Sequence, residues 1–341
     1  MLRAVISLGI VAGIFVGVLP KIADYGEVWN TITAMTWLEL TSLALIALWN
    51  VVTYWFVMVA SMPRLKYSQA AIVNQASTAI SNTLPGGGAI GVGVTYSMYT
   101  SWGFTKPEIA RAVVVSGIWN NFMKLGFPIV ALALLAVEGG VSAALLIASL
   151  FGLSLLIGAI VSFGLVLRSD RLARNLGDWL GRLLSRARAL LKKAPVTTMG
   201  ESTARFRTDT VELLSARWFG LTLASLVSHA SLYVVLLVAL RHVGVGQEEV
   251  TWITILAAFA FVRLISALPI TPGGIGVVEL GYVAALTIGL GDDLKAQVVA
   301  AVLVFRFLTF FLPIPAGAAA YTYWRRTKRW RQSTTEGFTV S

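Results

Sequence analysis

The chain reads as an all-α polytopic membrane protein with about six full spans and two re-entrant helical hairpins, arranged as inverted-topology repeats. Three observations point there. Of 341 residues, 57% are hydrophobic and 13% charged, and the mean hydropathy is +0.79, too apolar for a soluble surface. The apolar sequence breaks twice in nearly the same way. One break is Ser81-Asn82-Thr83-Leu84-Pro85-Gly86-Gly87-Gly88; the other is Ser266-Ala267-Leu268-Pro269-Ile270-Thr271-Pro272-Gly273-Gly274-Ile275-Gly276. Basic loops alternate with acidic or neutral ones along the chain.

Taken in order, residues 2–19 read as a retained first helix. Only Arg3 precedes the apolar run, and Pro20-Lys21 follows it without a small-residue cleavage site. Further spans are expected at 38–62, 109–137, 142–167, 218–240 and 296–324. Between them lie interrupted apolar regions at 68–100 and 250–289. Proline and clustered glycine cannot continue a helix, so each region is expected to be two half-helices whose freed backbone is buried in protein or lines a polar cavity.

Charge fixes the order of faces. Arg64, Lys66, Lys106, Arg111, the segment 168–217 and Arg325, Arg326, Lys328, Arg329 and Arg331 form one group. Asp24, Glu27, Glu39, Glu138, Glu248, Glu249, Asp292 and Asp293 form the other. The first group is expected in the cytoplasm and the second outside, with both termini cytoplasmic. The faces alternate without conflict only if each interrupted region returns to the side it came from. The chain then divides into residues 1–37 (first helix and outer loop), 38–167 (first repeat plus one span), 168–217 (basic cytoplasmic linker), 218–324 (inverted second repeat) and 325–341 (basic tail). Offsets support a repeat: Ser81 to Ser266 and Pro128 to Pro313 are each 185 positions apart, and Pro85 to Pro272 is 187.

In the linker, Leu172, Leu176, Trp179, Leu180, Leu183 and Leu184 recur at helical spacing opposite an arginine-rich face, which predicts an amphipathic helix resting on the inner leaflet. It is read as a connector on the membrane, or as a site that meets anionic headgroups.

Charges within apolar spans are costly, so each is a candidate functional group. Arg263 precedes the second break, Glu279 follows it, Arg306 lies in the last span and Lys124 in the matching span of the first half. Glu279 is expected to pair with Arg263 or Arg306, or to take a proton. Half-helix N-termini at Gly88–Gly91 and Gly274–Gly276 would turn N–H groups toward an anion, with Gly86, Gly87, Gly88, Gly273, Gly274 and Gly276 forming the backbone of the two loops. Asn82, Ser81, Asn120, Asn121, Ser266 and Thr271 add polar lining, with Pro85, Pro269 and Pro272 shaping the loops. Asn74, Gln75, Ser77 and Thr78 crowd the helix before Pro85 and are expected to face a cavity. His229 reads as a core histidine.

Other chemistries lack their residues. There is no cysteine, only two histidines, no H-E-x-x-H and no G-x-x-x-x-G-K-[ST], so no metal, cofactor or ATP site is expected from the motifs. Every Asp falls in an expected loop, which excludes an intramembrane aspartyl pair. The +11 charge serves membrane orientation and lipid headgroups, not nucleic acid.

The run Leu268-Pro269-Ile270-Thr271-Pro272-Gly273-Gly274-Ile275-Gly276-Val277-Val278-Glu279 resembles the signature of the lysylphosphatidylglycerol synthase transmembrane, or flippase-like, family, and Leu84-Pro85-Gly86-Gly87-Gly88 sits where that family has its first glycine loop. Many relatives carry Gly-Glu after that loop and Glu-Arg in the next span; here the residues are Ala89-Ile90 and Trp119-Asn120. The resemblance implies a membrane domain, without the lipid-synthesising domain of some relatives, that moves a polar-headed lipid between leaflets of a bacterial-type inner membrane. Phospholipid, aminoacyl-phospholipid and polyprenyl-phosphate lipid are the candidates. The alternatives are a secondary transporter of a small polar or anionic solute, and a non-transporting lipid-binding scaffold. No enzyme activity is expected. Partners are membrane lipids, anionic headgroups at the linker, and a second copy or a separate lipid-synthesising enzyme.

Overall fold

The computed structural model describes residues 13–84, 86–139, 143–190, 194, 198–266 and 271–327. Most of the expected first helix, Pro85, Pro269 with its neighbours 267–270, and the tail from 328 onward lie outside the described residues.

All regular structure among the described residues is helical. Gly13–Val18 is a π-helical turn and Leu19–Lys21 a 3-10 turn. The α-helices follow as α1 (Tyr25–Thr33), α2 (Trp37–Ser61), α3 (Tyr67–Thr83), α4 (Gly87–Ser101), α5 (Lys106–Val137), α6 (Ala143–Arg168), α7 (Asp170–Leu190), α8 (Met199–His242), α9 (Trp252–Ile265), α10 (Val277–Leu286), α11 (Asp292–Arg306) and α12 (Pro313–Arg326). Five helical stretches are long and apolar enough to cross a membrane: Trp37–Ser61, Lys106–Val137, Leu150–Arg168, Met199–His242 and Leu294–Arg326. They coincide with five of the six expected spans.

Local chemistry sets the boundaries. Asp24 caps α1 by accepting from the Gly26 and Glu27 amides. Thr36 with Glu39 and Thr105 with Glu108 form capping boxes that start α2 and α5, and the Thr251 hydroxyl accepts from the Thr254 amide at the start of α9. Leu84 precedes Pro85, so its backbone is extended (ψ 140°) and α3 stops there. Gly86 then takes φ +70°, a left-handed turn open to glycine, and α4 begins.

Helices α3 and α4 fold back on each other as a hairpin. A Cβ at Gly87 would overlap the carbonyls of Ile80 and Ser81, and one at Gly91 would overlap the Ser81 hydroxyl and the Ser77 carbonyl. Side chains are absent where the two backbones touch. Helices α9 and α10 form the second hairpin, with Gly281 beside Val262.

The two halves of the chain are laced together. Helix α2 runs antiparallel to α8. Ser42 lies 2.7 Å from His242 Nε2, Asn50 donates to the Ser228 carbonyl and the Ser231 hydroxyl, and Arg217 donates to the Val59 carbonyl. The Pro128-bearing α5 packs on α9 through Ala131, Leu256, Ala257 and Ala260. Reciprocally, the Pro313-bearing α12 packs on α3, where Gly317 meets the Gln75 carbonyl and Ala79. The proline-bearing span that follows each hairpin thus lies on the first helix of the other hairpin. Between apolar helices in lipid such close backbone approach replaces hydrophobic burial as the attraction.

Two elements differ from the sequence reading. The second-half span does not begin near residue 218: α8 starts at Met199 and is one helix of 44 residues, longer than a bilayer core. Helix α7 is amphipathic as expected, but it is also packed. Ala173, Gly177 and Gly181 are buried, with Gly177 against Met199, Gly200 and Thr203 of α8, while Leu172, Leu176 and Trp179 stay exposed. Helix α6 is the outermost span, with no buried residue between Leu150 and Arg168.

The packing makes identical substitutions behave differently. Gly317→Ala drives a methyl into the Gln75 carbonyl and is expected to cost roughly 1–3 kcal/mol, lowering the thermal midpoint in detergent. Gly117→Ala, which meets open space, is expected to leave the midpoint unchanged or raise it.

Candidate functional site

The tips of the two hairpins meet. Asn82, near the end of α3, donates through its side-chain amide to the Phe310 carbonyl at 3.1 Å. Phe310 belongs to the π-helical turn Phe307–Phe311 that joins α11 to α12, and Pro313 and Pro315 supply no N–H to the carbonyls of this turn. The Phe310 ring lies against Gly273 in the 3-10 turn Pro272–Gly274, so closely that a Cβ there would overlap it. Gly273 also has φ +59°, so the position needs glycine for space and for backbone conformation.

A buried ion pair holds the second tip. Glu279, 1% exposed in the first turn of α10, accepts from the Gly276 amide at 2.7 Å through Oε2 and from Arg306 Nε at 2.6 Å through Oε1. Arg306 Nη2 donates to the Gly273 carbonyl at 3.2 Å, and its guanidinium stands 4.2 Å from the Phe310 ring centroid. One carboxylate and one guanidinium therefore satisfy a helix N-terminus, a loop carbonyl and each other. The Thr271 hydroxyl, donating to the Ile275 carbonyl at 2.9 Å, closes the same turn.

This geometry settles two open expectations. Glu279 pairs with Arg306, not with Arg263. The Gly276 amide is not free for an external anion, because it donates to Glu279. The N-terminus of α4 differs: Gly86 carries no side-chain cap, and Gly86, Gly87 and Gly88 border open space.

That space is a cavity of about 1030 Å³ between the tips. Among the residues expected at the site, Ser81, Asn82, Gly86, Gly87, Gly88, Asn120, Lys124, Arg263, Ser266, Thr271, Gly273, Gly274 and Arg306 line it. Asn74, Gln75, Ser77 and Thr78 line it too, as their density in α3 implied. Glu279 sits behind Arg306 with Gly276 as its partner. Asn121 is exposed and does not border the cavity, because it lies a third of a helical turn from Asn120. Ser266 donates to the Arg263 carbonyl. His229 is buried, with Nδ1 3.0 Å from the Ser225 carbonyl, and it too lies outside the lining.

The cavity also contains groups that the sequence did not single out. Asn50 and Tyr54 of α2, Tyr282 of α10 and Thr309 of the π-helical turn border it. Asn50, an amide in the middle of an apolar span, was a readable signal; tyrosines in apolar helices are too common to be one. Lys124 and Thr309 occupy matching places, four residues ahead of Pro128 and Pro313, so both carbonyls lack the usual helical N–H. Arg306 is neutralised by Glu279. Lys124 and Arg263 have no ion-pair partner among the described residues, and Arg263 Nε has no hydrogen-bond partner.

Truncating half of the buried pair is expected to be worse than removing all of it. Glu279→Leu leaves Arg306 charged and enclosed, at a cost of about 3–5 kcal/mol. Adding Arg306→Met to Glu279→Leu is expected to recover part of the lost thermal midpoint, measured by tryptophan fluorescence in detergent.

Comparison with known proteins gives one result of substance. A family model described as the lysylphosphatidylglycerol synthase TM region matches residues 4–317. No curated protein matches the chain.

Proposed function

The chain belongs to the lysylphosphatidylglycerol synthase transmembrane-region family, and from that premise we propose that it is a lipid translocase. The headgroup crosses through the cavity at the hairpin tips while the acyl chains stay in the bilayer. The observation that carries this reading is the placement of both backbone breaks, with their free polar groups and cations, around one cavity in an otherwise apolar helical body. Non-helical backbone at membrane depth is tolerated where it lines a polar space, and that space is where a polar headgroup can lower its crossing barrier.

In this reading α3–α4 enter from the cytoplasmic face and α9–α10 from the opposite face. Their helices, 17, 15, 14 and 10 residues long, reach only ~15–25 Å, short of the ~30 Å hydrocarbon core. The antiparallel α2 and α8 and the reciprocal packing of α5 on α9 and α12 on α3 support two inverted repeats. In the same reading the basic loops orient both termini toward the cytoplasm of a bacterial-type plasma membrane. The protein does no chemistry on the lipid.

The test is leaflet exchange of a tail-labelled phospholipid in proteoliposomes, read as the fraction bleached by an impermeant reductant. Exchange above that of protein-free vesicles is expected. Uptake of small phosphate esters without lipid exchange would assign the cavity to a solute carrier; neither activity would leave a scaffold. Topology is checked in parallel, because the chain has no cysteine of its own. Single cysteines at Lys66 and Gly103 are expected to react with an impermeant thiol reagent from one face, and those at Glu249 and Ile288 from the other.

A further inference from the structure

We propose that the cavity selects headgroups by charge and hydroxyl content: it takes an anionic phosphodiester lipid with a hydroxylated, uncharged headgroup and rejects one that carries an ammonium. This rests on the translocase reading and names its substrate class.

Lys124 on α5 and Arg263 on α9 reach the lining of the same cavity from different halves of the chain. Neither has an acidic partner among the described residues. Two like charges in a space walled by apolar helices are costly until an anion joins them. Arg306 shows the alternative, since its counter-charge is built in. A phosphodiester supplies what Lys124 and Arg263 lack.

The acids complete the case. No Asp or Glu is among the lining residues. Glu279, the carboxylate behind the lining residue Arg306, is 1% exposed and spends both oxygens, one on the Gly276 amide and one on Arg306. An ammonium entering the cavity would find two cations and no free carboxylate, a like-charge arrangement that acts as selection against it.

The rest of the headgroup meets neutral hydrogen-bonding groups. Asn74, Gln75, Asn82 and Asn120 present amides, and Ser77 and Thr78 present hydroxyls. These donate and accept in turn, which suits alcohol O–H groups that do the same. Most of this set lies along α3, whereas Lys124 and Arg263 come from α5 and α9, so a phosphate at the cations leaves the hydroxylated end to the amides.

The experiment uses the full chain in proteoliposomes with three lipids of identical tail and label: phosphatidylglycerol, phosphatidylmethanol and the lysyl ester of phosphatidylglycerol. Phosphatidylglycerol is expected to exchange fastest, phosphatidylmethanol more slowly for want of hydroxyls, and the cationic lysyl ester at least about tenfold more slowly than the first. Equal rates for all three, or a faster lysyl ester, would overturn the selection while leaving translocation standing. Lys124→Gln with Arg263→Gln is expected to shrink the spread between phosphatidylglycerol and its lysyl ester to within about twofold; an unchanged spread overturns the role given to these two cations.

Binding is read separately, so a failed transport assay or an unstable variant does not end the test. In detergent, short-chain phosphatidylglycerol is expected to raise the thermal midpoint of the unmodified protein, and its lysyl ester is not. The same ranking without any leaflet exchange would keep the selection and remove the translocase reading. No stabilisation by either lipid overturns the selection. Equal stabilisation by glycerol phosphate without acyl chains would assign the site to a soluble ester and overturn the lipid assignment.

Discussion

The interaction on which the rest depends is the contact of Glu279 with Arg306 and the Gly276 amide. A chain broken inside an apolar body leaves backbone N–H and C=O groups without helical partners, and each costs several kcal/mol if nothing replaces it. Glu279 and Arg306 replace them together. The carboxylate takes the N–H at the head of α10, the guanidinium takes the Gly273 carbonyl, and each neutralises the other. The Phe310 ring covers the guanidinium from one side. Without this pair, the turn at Pro272–Gly274 would keep only the Thr271 bonds and the Phe310 ring to hold its shape beside the cavity.

The first hairpin solves the same problem without charge. Gly87 and Gly91 let α4 approach α3 until backbone touches backbone, and the Ser81 hydroxyl donates to the Gly87 carbonyl. Its tip is tied to the other half by one neutral bond, from Asn82 to Phe310. One tip is therefore clamped by a buried ion pair and the other by packing and an amide. The end of α4 has no acidic residue in its first turn, and it faces the cavity. The cations at the cavity wall divide in the same way: Arg306 is held by the fold, while Lys124 and Arg263 remain for whatever enters.

Much of this was legible from residue order. Apolar runs of the right length marked five spans, four of them within a few residues at both ends and the fifth only at its C-terminal end. Pro85 with Gly86, and Pro272 with Gly273, marked the breaks, because few other residues interrupt a helix so decisively. Charges in apolar runs picked out Arg263, Glu279, Arg306 and Lys124, and all but Glu279 line one cavity. Asn121 was not separable from Asn120, since a difference of 100° around a helix has no meaning until the helix has neighbours. The start of α8 was missed because a basic amphipathic segment and the apolar span after it share one helical period without a stop signal.

What the sequence determined by itself is the class of molecule and the places where its helices fail, because these follow from hydrocarbon's intolerance of charge and from the covalent geometry of proline and glycine. Which groups meet across those failures was decided only by the tertiary structure. Glu279 had two arginines within plausible reach, and the crossing of α10 with α11 put Arg306 beside it and left Arg263 unpaired. Pair choice depends on distances of a few ångströms between segments far apart in the chain, and no local pattern encodes such distances.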